Sequence, residues 1–395
     1  MAQAPWMATV LGCDLAPTAY DEPQLGHLQH TLEGHTAPIL SLALAKNGKY
    51  FLSCSQDKTL RLWNPQNGKF VKSYAGPHNY EVNDAIIAEG NTHFFSCGGD
   101  KQFFMWDVST GAVNRKFVGH DAKVHALAHG PDESVVVSCS HDKTVRVWDL
   151  RANSRGAIQT MSDATDSVLC VQVAGTDIYA GCTDGCVRRY DVRRGQLVCD
   201  HFLQPVGSLT FSSGKECMLV ATLDHKIRLM ECDSGNELAS YKGHTNQRFK
   251  VASTLDPKDA FVVSGSEDHR ICFWDLMEGK MLGSLKGHGG AVLAVCFCEG
   301  LLLTAGGDNT VKIWADVLTS VKASGTGLRS GLRPVGLPCS FGKPQQSQPL
   351  QHSSAGGQDP SATVQKAAEP QKDEPPAKVR RKGDRGRKSK KATPD

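Results

Sequence analysis

An aspartate followed six residues later by a large side chain recurs seven times along this chain. The second residue is tryptophan five times, tyrosine once and methionine once, and successive pairs are 40 to 44 residues apart. The pairs are Asp57/Trp63, Asp100/Trp106, Asp142/Trp148, Asp184/Tyr190, Asp224/Met230, Asp268/Trp274 and Asp308/Trp314. A repeat of this length in a β-rich chain is typical of a β-propeller, in which each blade is a sheet of four strands. The spacing therefore predicts an all-β, seven-bladed propeller.

The first repeat shows how each blade is expected to fold. Strands are predicted at Ile39–Ala45, Tyr50–Ser55, Thr59–Asn64 and Phe70–Tyr74. These stretches are rich in β-branched and aromatic residues, and glycine or asparagine stands at the turns between them, as hairpins require. Strands this short, joined by turns this regular, leave little room for helix.

The two ends of the repeated region complete each other. The segment "GHLQHTLEGH" at 26–35 matches "GKMLGSLKGH" at 279–288, where the fourth strand of a blade leads to Gly-His. Residues 26–35 therefore contain the fourth strand of a blade, and the first three strands of that blade do not precede it. Trp314 closes a third strand after which no fourth follows. We expect Leu28–Leu32 to pair with Lys312–Trp314 and close the ring, because closure removes two exposed sheet edges. The predicted propeller covers residues 27–315.

The segments outside the propeller differ from it in composition. Residues 1–26 carry proline and small residues without a period, and we expect a flexible N-terminal leader. Residues 316–395 are rich in Gly, Ser, Pro and Gln, which predicts a disordered tail. Its basic run Lys378–Lys391 is interpreted as a solvated tail, a nuclear-import signal or an arm for weak nucleic-acid contact. The tail has 15 basic and 7 acidic residues, whereas residues 1–315 have 29 and 34, so the body is a poor general nucleic-acid binder.

The cysteines indicate a reducing compartment. Cys54, Cys97 and Cys139 recur at one position of the repeat inside apolar runs, where a small hydrophobic residue fits a strand. Other close cysteines lack the paired spacing of zinc sites. The chain has no apolar run of 18 residues, and its start lacks the basic residues of a signal peptide. We therefore expect a cytoplasmic and nuclear protein without a membrane span.

A set of four polar residues accompanies the aspartate in five repeats: a histidine, a Ser or Thr, the Asp and the Trp. The sets are His35, Ser53, Asp57, Trp63; His78, Ser96, Asp100, Trp106; His120, Ser138, Asp142, Trp148; His244, Ser264, Asp268, Trp274; and His288, Thr304, Asp308, Trp314. The fourth and fifth repeats lack the histidine, and Ala180 and Val220 replace the hydroxyl. Loss of the histidine and the hydroxyl together is expected if they belong to one hydrogen-bonded network, because a buried network with unpaired groups destabilises the fold more than the absence of a network does.

These residue types also occur in hydrolases, but five equivalent copies favour a structural tetrad. A Ser-His-Asp triad needs one exposed nucleophile and an oxyanion hole. In a structural tetrad the indole N–H donates to the hydroxyl, the hydroxyl to the histidine, and the histidine to the aspartate. We therefore expect no enzymatic activity, no cofactor and no metal.

The repeats match the WD-repeat propellers, in which Gly-His opens a repeat and Trp-Asp closes it. Within that superfamily the chain resembles the mitogen-activated protein kinase organizer family over about residues 30–315. The segments that carry the resemblance are "DKTLRLWNP" at 57–65, "YEVNDA" at 80–85, "SCGGDK" at 96–101, "GCVRRYDVRRGQL" at 185–197, "YKGHTNQRFK" at 241–250 and "VSGSEDHRICFWDL" at 263–276. The resemblance implies a non-catalytic scaffold associated with the spliceosome and with assembly of kinase cascades, the second role depending on partners present in animals.

A second hypothesis comes from two consecutive repeats. Arg151 and Arg193 each follow a third strand in an Asp-x-Arg pattern. This is similar to the doubled box of propellers that serve as substrate receptors of cullin–RING ubiquitin ligases. The alternative is a local role, because an arginine in such a turn can pair with a carboxylate or cap carbonyl groups.

Partner proteins are expected to bind the loops of the propeller, since blade interiors are packed. The loops on the histidine side carry Tyr80, Glu81, Lys123, Arg248 and Phe249. An aromatic or arginine side chain there is a candidate interface residue, although Tyr80 and Phe249 could equally cover a neighbouring blade. Spliceosomal or kinase-cascade proteins are the expected partners, with a cullin-ligase adaptor as the alternative, and the propeller is expected to be a monomer.

Overall fold

The computed structural model describes residues 25–130, 132–152 and 156–317, and these residues form seven four-stranded antiparallel sheets. This confirms the seven-bladed, all-β prediction. The strands of blades one to three are β2 Ile39–Leu44, β3 Phe51–Ser55, β4 Leu60–Asn64, β5 Lys69–Tyr74, β6 Val82–Ile87, β7 His93–Gly98, β8 Gln102–Asp107, β9 Val113–Val118, β10 Val124–His129, β11 Val135–Ser140, β12 Val145–Asp149 and β13 Gln159–Met161.

Blades four to seven complete the ring. Their strands are β14 Val168–Ala174, β15 Asp177–Cys182, β16 Cys186–Asp191, β17 Gln196–His201, β18 Val206–Phe211, β19 Cys217–Thr222, β20 Lys226–Glu231, β21 Glu237–Tyr241, β22 Ser253–Leu255, β23 Phe261–Gly265, β24 Arg270–Asp275, β25 Met281–Lys286, β26 Val292–Cys298, β27 Leu301–Gly306, β28 Val311–Ala315 and, from the start of the chain, β1 His27–Leu32. The first strands of successive blades contact one another in a closed circuit, from β2 through β26 and back to β2. They therefore line a central channel.

The seventh blade is closed by the first strand of the chain. Its strand order is β26-β27-β28-β1, and β1 pairs antiparallel with β28. Leu28 lies opposite Trp314, and Leu32 opposite Val311. This pairing is the one that the matching Gly-to-Gly-His segments predict.

Two boundary predictions are wrong by a few residues. Leu25, assigned to the flexible leader, is only 3% exposed, and Val317, assigned to the tail, is 1% exposed. Both pack in the cluster between blades six and seven with Phe273 and Trp314. Burial of apolar surface fixes these two residues, although neither belongs to the repeat. The remainder of the predicted leader and tail, residues 1–24 and 318–395, lies outside the described residues.

The core of the described residues consists of seven apolar clusters, each lying between two adjacent blades. Between blades one and two, for example, Leu52 and Cys54 pack with Phe94, Phe104 and Trp106. The cysteines of the described residues are free thiols, and most of them are buried. No helix in the part of the chain that the structure describes is long and apolar enough to cross a membrane.

Blade six departs from the regular pattern at its first strand. β22 has three residues, whereas the first strands of the other blades have six or seven. Its histidine and its strand-two serine are 20 residues apart in the sequence, against 18 in blades one to three. The chain between His244 and β22 forms an irregular loop from Thr245 to Ala252.

Candidate functional site

The polar tetrad of blade one forms a continuous chain of hydrogen bonds. The Trp63 indole Nε1 donates to Ser53 Oγ over 2.9 Å, and Ser53 Oγ lies 2.7 Å from His35 Nε2. His35 Nδ1 lies 2.7 Å from Asp57 Oδ2, which also accepts the amide of Thr36 over 3.1 Å. One chain of bonds thus ties the second and third strands to the loop that enters the blade.

The same bonds form in blades two, three and seven. The Trp-to-hydroxyl distances are 2.7, 2.8 and 2.9 Å, the hydroxyl-to-His distances 2.7, 2.7 and 2.8 Å, and the His-to-Asp distances 2.7, 2.7 and 2.9 Å. The hydroxyl groups of these sets are fully buried. A buried hydroxyl that already binds an indole and an imidazole is not placed as a nucleophile.

The carboxylates of these tetrads are strongly stabilised in their ionised form. Burial acts to raise the pKa of Asp57, but hydrogen bonds from His35 and Thr59 more than offset it, and the pKa lies well below its usual range. For Asp142 burial is likewise outweighed, by His120 and Thr144, and its pKa is also well below the usual range.

The tetrad predicted in blade six does not form. Both ring nitrogens of His244 are buried without a hydrogen-bond partner, and burial lowers the pKa of this histidine to about 4. The Trp274 indole donates instead to the carbonyl of Lys242 over 2.8 Å. Ser264 Oγ donates to the carbonyls of Ala252 and Gly265.

An arginine explains why the aspartate of blade six does not bind His244. Arg270 stands two residues after Asp268, where blades one and three have a threonine that bonds the aspartate. The Arg270 guanidinium binds Asp268 Oδ2 through Nε at 2.9 Å and through a terminal nitrogen at 2.5 Å. The carboxylate therefore faces the arginine, and His244 is left without it.

Blades four and five replace the histidine with an arginine on their own third strand. Arg188 binds Asp184 through two nitrogens, at 2.8 and 3.1 Å, and is only 6% exposed. Arg228 binds Asp224 at 2.9 Å and donates to the Thr222 hydroxyl at 2.5 Å. Sequence analysis missed these pairs, although an arginine four residues after the aspartate was visible in both repeats. Two donors on one carboxylate are a strong charge-assisted arrangement.

The loop that enters blade six is held by a carboxylate of its own blade and by a histidine of blade five. Glu267 Oε1 accepts the backbone amides of Gln247, Arg248 and Phe249 over 2.8, 2.6 and 2.9 Å. From blade five, His225 Nδ1 accepts the amide of Asn246, and its Nε2 lies 2.8 Å from the Gln247 side-chain nitrogen. The loop is therefore rigidly held although it lies at the surface.

This loop presents an aromatic side chain at the mouth of the channel. Phe249 remains 49% exposed. Together with Leu40, Asn83, His125, Lys250 and Leu293 it lines a cavity of about 130 Å³. Five blades contribute to this small cavity, which is called the mouth pocket below.

The chain matches the sequence model of the WD domain, G-beta repeat, at residues 26–64, 111–149, 235–275 and 279–315. It is 39% identical to WD repeat domain-containing protein 83 of Rattus norvegicus over 297 residues, which cover 74% of this chain and 94% of the rat protein. The chain belongs to the WD repeat domain-containing protein 83 family. The Dictyostelium discoideum homologue of that protein is 29% identical over 72% of this chain and 96% of its own length. A WD repeat-containing protein of Schizosaccharomyces pombe is 36% identical over 66% of this chain and 88% of its own length.

Membership of the WD repeat domain-containing protein 83 family identifies the protein as a WD-repeat propeller of the mitogen-activated protein kinase organizer family. Propellers of this kind are protein-interaction scaffolds. Binding surfaces are therefore to be sought among exposed side chains on loops, and the structure separates the sequence-predicted candidates into two faces.

On the histidine-side face of this family member, the candidates differ in their relation to the mouth pocket. Phe249 lines it and Arg248 is its exposed neighbour in the chain. Lys123 is exposed two residues before His125, and its charge helps to lower the pKa of that histidine. Tyr80 is 58% exposed and, with Glu81, lies against Gly99 in the turn of blade two, apart from the residues lining the pocket.

The two arginines of the Asp-x-Arg pattern lie on the opposite face, after the third strands of blades three and four. Both side chains are exposed. Arg151 Nε is 3.9 Å from Asp149, and the Arg193 amide donates to Asp191 over 2.9 Å. The aspartates of the pattern therefore fix their own turns, and the guanidinium groups point into solvent.

The channel below the mouth pocket holds a carboxylate that sequence analysis did not single out. Asp84 accepts the Ser41 hydroxyl over 2.7 Å and the Leu127 amide over 3.1 Å, so it joins the first strands of three blades. Burial raises the pKa of Asp84, and the charge of Lys250 opposes that rise. Asp84 belongs to the "YEVNDA" segment. The other blades have serine or another small residue at the same position of the repeat.

Proposed function

We propose that this protein is a non-catalytic scaffold on which proteins of the pre-mRNA splicing machinery assemble, acting in the nucleus as well as the cytoplasm. The observation that carries the proposal is the histidine-side face. There a rigid loop exposes Arg248 and Phe249 beside a cavity at the channel mouth. Aromatic and arginine side chains supply most of the binding energy in many protein interfaces.

The range of organisms in the family favours splicing over kinase-cascade assembly as the shared role. Relatives occur in Dictyostelium discoideum and Schizosaccharomyces pombe as well as in vertebrates. A role that depends on partners found in animals would not account for the family members outside animals. The basic segment Lys378–Lys391 is consistent with nuclear import.

Affinity purification followed by quantitative mass spectrometry tests this proposal. The tagged full chain is compared with the chain ending at Val317 and with the full chain carrying Arg248→Glu and Phe249→Ala. We expect spliceosomal proteins with the first two and their loss from the double variant. Kinase-cascade proteins in place of spliceosomal ones, or spliceosomal proteins that depend on the tail alone, would contradict the proposal.

A substrate-receptor role in a cullin–RING ligase is the second candidate, favoured by the solvent-facing guanidinium groups of Arg151 and Arg193. The decisive comparison is the double change Arg151→Ala and Arg193→Ala against the single change Arg194→Ala. Arg194 lies in the same turn as Arg193 and is 76% exposed, so it controls for loss of surface charge. Loss of cullin-ligase components from the first variant only supports this role. Their absence from the unmodified protein rules it out.

A further inference from the structure

The stretch from His244 to Ser253 concentrates buried polar groups that lack a partner in the protein. Ten buried side-chain polar atoms of the described residues have no hydrogen-bond partner, and four of them belong to His244, Asn246 and Ser253. These three residues are 3%, 1% and 2% exposed. A neutral imidazole carries one donor and one acceptor, so a buried ring with neither bonded destabilises the fold. The observed arrangement of this stretch is therefore not the one that satisfies its own side chains.

The groups that would bind His244 and its backbone are present but are bonded elsewhere. In the four tetrad blades the amide that follows the histidine donates to the tetrad aspartate; the donors are Thr36, Asn79, Asp121 and Gly289. In blade six the corresponding amide, that of Thr245, donates to Ser266 Oγ over 2.8 Å. Asp268 is bonded by Arg270 in place of both the histidine and this amide.

The tryptophan of blade six has changed its acceptor in the same way. In the four tetrad blades the indole donates to the buried hydroxyl of the second strand. The Trp274 indole donates to the Lys242 carbonyl, and Ser264 Oγ donates to backbone carbonyls. Every group of the blade-six tetrad is thus present, and all of them except His244 have found a substitute partner.

Arg270 competes with His244 for one carboxylate. Three of the four tetrad blades have a threonine two residues after the aspartate, and its hydroxyl bonds the aspartate without displacing the histidine. Arg270 occupies this position in blade six. The side chains of Arg270 and Asp268 are 33% and 29% exposed, and water weakens an ion pair that it reaches. A partly exposed ion pair is therefore set against a buried network that would satisfy His244.

The exchange of Asp268 bears on the exposed loop through Thr245 and Glu267. The Thr245 carbonyl accepts the Glu267 amide over 2.9 Å, and the Glu267 carboxylate accepts the amides of Gln247, Arg248 and Phe249. The start of the loop and the carboxylate that holds its exposed part are therefore bonded to each other. If the amide of Thr245 turns to Asp268, as in the tetrad blades, this arrangement is broken.

From these observations we infer that blade six has a second state, in which Asp268 leaves Arg270 for His244 and the complete tetrad forms. The exchange releases the loop that presents Arg248 and Phe249. A partner group that binds the Arg270 guanidinium favours the second state, because a ligand shifts an equilibrium toward the state that it binds better. The consequence for partner binding rests on the proposed scaffold function, whereas the two states themselves are properties of the free chain.

Fluorine NMR of the full chain labelled with fluorotryptophan tests the inference at Trp274, whose indole has a different acceptor in each state. Trp274→Phe assigns its resonance. Arg270→Thr gives blade six the residue that the tetrad blades have at this position, and Arg270→Ala frees Asp268 as well if the first variant does not fold. The matched control is Lys286→Thr, which removes an exposed cation directly opposite Arg270 on β25 and leaves Asp268 bonded. Circular dichroism checks that each variant is folded.

We expect the Trp274 resonance to move to a new frequency in both Arg270 variants and to stay in place in Lys286→Thr. In the unmodified chain, saturation at the new frequency should attenuate the main Trp274 resonance, as expected for exchange with a minor state populated at about 0.1–10%. Amides of residues 247–249 should exchange with deuterium about tenfold faster or more in Arg270→Thr, because Glu267 no longer holds them.

Two results would overturn the inference. A Trp274 resonance that stays in place in both Arg270 variants would show that Arg270 does not keep the tetrad open and that trapped water satisfies His244. A new frequency in the variants without saturation transfer in the unmodified chain would show that the second state is not accessible to the natural sequence.

The outcome can be separated from that of the purification experiment. If Trp274 exchanges between two frequencies but no spliceosomal protein co-purifies with the full chain, the two states of blade six stand and the splicing proposal fails. If spliceosomal proteins co-purify but Trp274 keeps one frequency in the Arg270 variants, the splicing proposal stands and the two-state inference fails.

Discussion

The tetrad serine of blade three and its counterpart in blade six allow one substitution to be tested in two environments. Ser138 and Ser264 occupy the same repeat position, and both are buried, at 0% and 1% exposure. Ser138 accepts the Trp148 indole and contacts His120, whereas Ser264 bonds only to backbone carbonyls. The repeat pattern predicts the same loss on changing either residue to alanine, but the structure predicts different losses.

The expected magnitudes follow from the groups left without a partner. Ser138→Ala leaves two buried groups unpaired, the Trp148 indole N–H and the His120 Nε2. Each such group costs about 1–3 kcal/mol, so we expect a loss of about 2–6 kcal/mol in the free energy of unfolding. Ser264→Ala removes a donor from two carbonyls and strands no buried N–H, so we expect about 1 kcal/mol or less.

Thermal unfolding followed by circular dichroism measures the difference. For a propeller of this size we expect Ser138→Ala to lower the Tm by about 3–10 °C and Ser264→Ala to lower it by about 2 °C or less. A reversible scan at several heating rates is needed, since irreversible unfolding makes Tm depend on rate. Equal shifts, or a larger shift for Ser264→Ala, would refute the assignment of the tetrads to four blades rather than five.

Three further predictions concern charge and the chain ends. The lowered pKa values of His125 and His244, about 3 and about 4, mean that both buried rings stay neutral in the folded protein, so stability is lost as pH falls below their unfolded-state pKa of about 6.5. The depressed pKa values of Asp57 and Asp142 add a further loss below the unfolded-state pKa of about 4, so Tm measured from pH 7 to pH 3 should fall from about pH 6 and fall more steeply below about pH 4; a Tm that stays level down to pH 4 would contradict the burial of the two neutral histidines. Arg188→Met removes the guanidinium partner of a nearly buried carboxylate and should cost about 3–5 kcal/mol by urea unfolding, whereas Lys46→Met at an exposed pair should leave the denaturation midpoint unchanged; equal shifts would contradict the buried pair. Leu25→Ala should cost about 2–5 kcal/mol in the same assay, because this residue is packed in the core, and no loss would place it in a flexible leader.

The architecture was predictable because propeller sequences repeat with the blade. The Asp-to-Trp spacing set the number of blades, and the match between residues 26–35 and 279–288 identified the strand that closes the ring. The observed strands of the first blade begin and end within one residue of their predicted bounds. Each prediction used local patterns that every blade must satisfy.

The errors occur where residues outside the repeat pattern decide the structure. Arg270 takes Asp268 away from His244, and a motif search that looks only at the four tetrad positions does not include it. In blades four and five the error has the opposite sign: these blades lack the tetrad, but Arg188 and Arg228 still give the aspartates hydrogen-bonded partners. Blades four and five are therefore not left without a network, and the unpaired His244 makes blade six the blade expected to open first.

The surface could be predicted only in part. The loop residues Arg248 and Phe249 were candidates from sequence, but the cavity beside them needs residues from five blades. Leu40, His125 and Leu293 are distant in sequence and carry no motif. Glu267, which orders the loop, looks from sequence like one more exposed acid beside the blade-six aspartate. Side chains brought together by ring closure are not visible in a single repeat.

Hydrogen–deuterium exchange of the first strand tests the closed seven-bladed ring most directly. The account predicts slow exchange at the amides within His30–Leu32 that donate to β28, because these amides are held by the hydrogen bonds between the two strands. Peptides covering both strands are compared in the full chain at pH 7 over times from seconds to hours. Exchange of residues 30–32 within seconds, beside a protected β28, would show that the ring is not closed by its own N-terminal strand and would contradict the account.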